Sequence, residues 1–163
     1  MTFKIAQKAD LIKIVDIYNS VVPSRMVTAD LEPISVESRY KWFDEHDPAT
    51  RPLWVVQNVD NQVIGWVSFQ NLYNRPAYHI TVEISIYLDE TVRGKGLGKQ
   101  VLEQALAQAP QFGIENIVGL IFTHNEPSVK LFKHAGFEIW GDLPEVTVLD
   151  GVKRSVLIMG KKV

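Results

Sequence analysis

From Ile80 to Leu88 apolar and polar residues alternate. Val82, Ile84, Ile86 and Leu88 point one way, and Thr81, Glu83, Ser85 and Tyr87 the other. That period of two predicts a strand with one buried face. The period changes after the glycine-rich stretch Arg93 to Gly98. Val101, Leu102, Ala105, Leu106 and Ala109 then share a helical face that Gly113 can end. Earlier, Phe3 to Ile5 reads as a short strand. Asp10 reads as an N-cap ahead of Leu11, Ile14, Val15 and Tyr18, and Ser35 as the cap of a second helix running to about His46. Leu53 to Val59 and Val63 to Leu72 flank Asp60-Asn61-Gln62 and predict a hairpin. Ile117 to Phe122 is an apolar strand. Pro127 opens a helix that Gly136 closes, and Phe137 to Leu143 and Val152 to Met159 are two final strands. The order β-α-α-β-β-β-α-β-α-β-β predicts an α/β (α+β) fold, one mixed sheet with helices on its faces.

Composition narrows the function. The chain of 163 residues suits one domain spanning 1–163, with no repeat or linker dividing it. With 17 Lys and Arg against 19 Asp and Glu, it has no basic excess to hold a phosphate backbone, so nucleic acid is not an expected partner. The absence of cysteine excludes disulfides, thiolate metal ligands and a cysteine acyl-enzyme, and fits a cytoplasmic setting. Charges interrupt every apolar stretch before membrane-spanning length, so no membrane partner is expected. His46, His79, His124 and His134 lack ligand spacing, and no metal is expected. Trp42, Trp54, Trp66 and Trp140 are expected in the core or an interface, since no basic patch interleaves them.

The strongest chemical signal is Arg93-Gly94-Lys95-Gly96-Leu97-Gly98-Lys99 between a strand and a helix. Glycines let backbone amides turn inward, and the first turn of the following helix adds free N–H groups and a positive dipole end. This predicts a pyrophosphate cradle. A Walker loop fails because Gln100 follows Lys99, and a dinucleotide fingerprint fails because the third glycine arrives one residue early. The plain alternative is a turn that only links strand to helix.

Arg93-x-x-Gly96-x-Gly98 after an alternating strand resembles the acetyl-CoA loop of the GCN5-related N-acetyltransferase superfamily. So does the segment from Asn125 to Phe137, with Ser128, Leu131 and Gly136-Phe137 at matching spacing. Thr28-Ala29-Asp30-Leu31-Glu32-Pro33, Arg39-Tyr40-Lys41-Trp42-Phe43 and Arg75-Pro76-Ala77-Tyr78 with Thr81-Val82-Glu83 resemble the phosphinothricin (methionine sulfoximine) acetyltransferase branch.

The resemblance implies acetyl transfer from acetyl-CoA to the amine of a small molecule, an amino acid or analogue, by a homodimer. It implies that Ser85, Ile86 and Tyr87 bind the pantetheine arm through their backbone, in the manner of an added strand. The amides of Arg93, Gly94, Lys95, Gly96, Leu97 and Gly98 would hold the pyrophosphate. Asn125 would bond the pantetheine or cysteamine end, or serve as a helix cap. Glu83 is the implied general base, against a merely solvated strand carboxylate. Arg75 is the candidate grip for a substrate carboxylate, against a surface arginine. Phe132 stands where many superfamily members carry a proton-donating tyrosine, which leaves the general acid unassigned. It is also the one feature favouring the alternative of a CoA-binding sensor without turnover.

Overall fold

The computed structural model describes residues 1–163. The strands are β1 (Thr2–Ile5), β2 (Leu53–Gln57), β3 (Val63–Asn71), β4 (Thr81–Leu88), β5 (Asn116–Phe122), β6 (Glu138–Leu149) and β7 (Val152–Lys162). The helices are α1 (Leu11–Val21), α2 (Tyr40–Asp44), α3 (Leu97–Gln108) and α4 (Glu126–His134). Element order is the predicted one. The seven strands form one sheet in the order β1-β2-β3-β4-β5-β7-β6. Only the β4–β5 contact is parallel.

Alternation along the strands divides the core in two. Val82 and Ile84 of β4 join Val101, Leu102 and Ala105 of α3 and Phe132 of α4 on one face. On the other face Ile14, Ile17 and Tyr18 of α1 pack on Leu53, Val55 and Trp66, with Tyr87 and Trp42 at the margin. The β4 pattern read from the sequence is thus the actual division between the two faces. Trp54 and Trp66 are buried, while Trp140 is 44% exposed.

Local chemistry shifted several boundaries. Asp10 holds the N-cap position of α1, as read from the sequence, but its side chain caps no α1 amide. A 3-10 turn from Lys8 to Asp10 precedes the helix, and the Asp10 carboxylate reaches back to accept the Gln7 N–H at 2.7 Å. The Ser35 hydroxyl does accept the Ser38 N–H, at 3.3 Å, but the helix it opens is a 3-10 turn followed by only five α residues. The last two strands outrun their expected ends. Asp150 and Gly151, with φ of 49° and 80°, form the tight turn of a long hairpin whose twist such residues favour. Two irregularities in the β6 register, at Ile139/Gly141 and Leu143/Thr147, keep the strand in the sheet past Pro144.

Candidate active site

The parallel pairing of β4 and β5 is short. It runs from Thr81/Asn116 to Glu83/Val118, after which the strands part. β3 still pairs the other edge of β4 as far as Leu88, and β7 holds β5 to Phe122. From Ile84 onward, the β4 edge that faces β5 therefore has no strand partner. A cleft of about 450 Å³ fills the gap. Its walls are Glu83 to Tyr87 of β4, Gly119 to Phe122 of β5, and Asn125, Ser128 and Phe132 of the α4 region. Val27 to Ala29 and Leu143, Val146 and Thr147 of β6 close it.

Glu83 is half-buried at the apex where the strands part, and it is the one carboxylate lining the cleft. Burial pushes its pKa up, and the side chain of Gln70, directly across the β3–β4 ladder, acts in the opposite direction. Ser85, Ile86 and Tyr87 lie along the open edge. The Tyr87 ring stacks on Trp66 at 4.4 Å and 11°, and burial raises its pKa. The Tyr18 hydroxyl bonds Thr28 and Asp30, which ties the loop carrying Val27 to Ala29 to α1.

The glycine-rich turn stands at the far end of β4. Gly94 and Gly96 have φ of 73° and 76°, and Gly96 is the residue before α3, so the amides of the first α3 turn open onto the turn. Gly98 is different. Its φ is ordinary, and it packs near Leu131 and Leu88. The cationic side chains are tied back. Arg93 donates to the Leu88 carbonyl (2.9 Å) and the Ser20 hydroxyl (3.1 Å), Lys95 donates to the Thr91 carbonyl (2.9 Å), and Lys99 pairs with Glu103 at 3.8 Å. The turn thus offers chiefly backbone donors, with Leu97 already in α3.

Asn125 is buried, and its capping role is realised. Oδ1 accepts the Ser128 N–H at 3.2 Å, and Nδ2 donates to the Met26 carbonyl at 2.9 Å, leaving one N–H at the cleft wall. Phe132 is buried against Phe137 with its ring over Gly119, so this position has no hydroxyl. Arg75 is exposed in the loop before β4, outside the cleft wall, and its guanidinium makes no ion pair. No group of three or more His, Cys, Asp or Glu side chains gathers in the structure.

Sequence reading missed three parts of the site. Asp89 accepts from the Thr91 N–H and hydroxyl and pairs with Lys13 at 2.8 Å, which anchors the turn. Asp-x-Thr is a local turn signal that could have revealed it. Gln70 and the β6 wall left no local signal, because only strand register brings them to Glu83 and the cleft.

Comparisons with known proteins agree with this geometry. The profile of the Acetyltransferase (GNAT) family matches residues 14–137, and the chain belongs to that family. Protein YwnH of Bacillus subtilis (strain 168), which carries the provisional name of a phosphinothricin acetyltransferase, is 46% identical over 162 residues, 99% of each chain. An L-methionine sulfoximine/L-methionine sulfone acetyltransferase of Pseudomonas aeruginosa is 33% identical over 138 residues, 85% of this chain and 80% of its own. The crystal structure of a phosphinothricin acetyltransferase from Sinorhizobium meliloti in complex with acetyl-CoA matches with a TM-score of 0.91 at 28% identity. It covers 99% of this chain and 88% of that one. The protein is therefore an acetyl-CoA-dependent N-acetyltransferase, which sets aside the sensor without turnover.

Proposed function

We propose that the enzyme acetylates the amino group of a small amino acid or analogue, of the methionine sulfoximine, methionine sulfone or phosphinothricin kind, with Glu83 as general base. One observation carries the assignment: Glu83 is the only carboxylate in the cleft wall, and it stands where β4 and β5 part. When bound, acetyl-CoA supplies the activated acyl carbon. The unpaired β4 edge at Ser85, Ile86 and Tyr87 takes its pantetheine arm, and the backbone from Arg93 to Gly98 takes its pyrophosphate. The spare Asn125 N–H is available to the same arm.

An ammonium has no lone pair, so the amine must lose a proton before attack. Glu83 accepts it directly or through one water. Its raised pKa brings a carboxylate nearer to neutral pH, where a base works best. Backbone amides of β4 near Ile86 would supply the donors for charge developing on the thioester carbonyl oxygen. A thiol of pKa about 8.5 departs tolerably as thiolate, so Phe132 does not block the reaction.

The cleft wall contains no Lys, Arg or His. We assign Arg75, eight residues before Glu83 and without an internal ion pair, to the acceptor's carboxylate. We further propose that the chain works as one domain and as a cytoplasmic homodimer joined through β6, without nucleic acid, membrane or metal. β6 is an edge strand with Ile139, Trp140, Val146 and Val148 exposed.

Thiol release from acetyl-CoA, measured over amines with and without an α-carboxylate, tests the reading. Turnover should concentrate on the carboxylate-bearing amines. Turnover only on amines lacking a carboxylate would overturn the substrate class.

A further inference from the structure

Gln70 and Trp42 belong to neither the cleft wall nor the proposed acetyl-CoA contacts, yet a hydrogen bond joins them and Gln70 lies directly across the ladder from the proposed base. Gln70 is the register partner of Glu83, so the two side chains leave the same sheet face as directly opposed neighbours. On its far side Gln70 Oε1 accepts the Trp42 indole N–H at 3.3 Å. Indole nitrogen is a donor only, so this bond fixes which way the amide is turned. With Oε1 committed to Trp42, the NH2 is the group Gln70 has left to donate across the ladder to the carboxylate.

Trp42 is itself held in place. It meets Trp66 edge-on at 5.5 Å, and His46 edge-on at 4.7 Å, and its carbonyl accepts the His46 Nδ1–H at 2.7 Å. We propose that Trp42 and Gln70 are positioning residues, which orient the Glu83 carboxylate and keep it ionised within its apolar surroundings. The proposal rests on Glu83 being the base.

The electrostatic setting makes the role legible. Within the cleft, Tyr87 is the only other titratable side chain, with Tyr18, Asp30 and Arg39 beyond it. Glu45, His46 and Arg51 line a separate polar cavity behind Gln70. Desolvation raises the proton affinity of Glu83 and the Gln70 side chain lowers it, so the two oppose one another. Removing the Gln70 donor leaves desolvation unopposed, so the carboxylate would take up its proton at higher pH. Removing the Trp42 N–H lets the amide turn its oxygen towards the carboxylate, which acts in the same sense but more weakly.

The test is the pH profile of kcat/KM for wild type, Gln70→Leu and Trp42→Phe, with acetyl-CoA affinity followed by calorimetry. The acid limb should move to higher pH in Gln70→Leu and by a smaller amount in Trp42→Phe, with acetyl-CoA affinity unchanged. At pH 7 the kcat of Gln70→Leu should fall on the order of tenfold, a part of the loss that removing a base brings. In a Glu83→Gln background, Gln70→Leu should cause no further fall in kcat. Trp42→Phe keeps an aromatic ring in the packing, so it remains readable if the leucine variant does not fold. An acid limb that stays in place in the folded variants, while Glu83→Gln alone still abolishes turnover, overturns this inference and spares the base. Near-normal turnover of Glu83→Gln overturns both.

Discussion

At Glu83, the proposed base, burial sets stability against the chemistry assigned to the residue. Glu83→Gln keeps the shape but cannot accept a proton, so kcat should fall by about 100-fold to 10,000-fold with acetyl-CoA affinity intact. Stability should move the other way. Burial raises the folded pKa, so stability falls as pH rises from the ordinary glutamate value through the raised one. At pH 7 the Gln variant should therefore melt above wild type, and the gain should vanish below about pH 4, where both states hold the proton. Equal melting temperatures at pH 7 would mean the carboxylate is well hydrated. The glycine turn separates by residue too. Gly96→Val puts a branched side chain at φ 76°, so the folded variant should lose acetyl-CoA binding in calorimetry. Gly98→Ala should bind nearly normally, since an added Cβ would sit 3.4 Å from Leu131 at ordinary φ. Arg75→Ala should raise KM for amino acids and spare acetyl-CoA affinity, and an equal loss for amines without a carboxylate would make Arg75 structural.

At the scale of elements, the turn between β4 and α3 works only if its start is fixed. Asp89 does this by bonding Thr91 and pairing with Lys13 of α1, which holds its carboxyl down at about 2. The sign follows from both partners. The depressed Asp89 pKa contributes stability present above about pH 4 and lost as pH falls towards 2. The raised Lys13 pKa contributes stability that is lost only at strongly alkaline pH. Asp89→Asn should flatten the melting-temperature curve between pH 4 and 2 and weaken acetyl-CoA binding at pH 7. A variant curve that still parallels wild type in that window would show the pair to be idle. Much at this scale was legible. The β4 alternation, the α3 face and the glycine turn are local signals, and each formed where it was expected. The helix from Ser35 to His46 did not, because the chain spends its first turn in 3-10 geometry.

For the molecule as a whole, β6 is the exposed apolar edge of the sheet. It is 12 residues long at the sheet edge, and Val148 is 56% exposed. Ile139→Lys combined with Val148→Lys should turn a dimer into a monomer in light scattering, because charges on a buried strand edge repel their copies. A wild-type protein that is monomeric at micromolar concentration would remove the dimer.

The sequence determined by itself what depends on neighbours along the chain. It set the order of the elements, the two faces of β4, and the turn whose glycines expose amides before a helix. It also carried the Asn125 cap, which needs only Ser128 three residues on. Tertiary structure decided what depends on register and on strands distant in sequence. Parallel pairing that stops at Glu83 and Val118 opens the cleft, and no periodicity encodes where two strands part. Antiparallel register sets Gln70 against Glu83, and the Asp150-Gly151 turn carries β6 far enough to wall the cleft. Such contacts join residues far apart in the chain, so their geometry exists only once the sheet has closed around them.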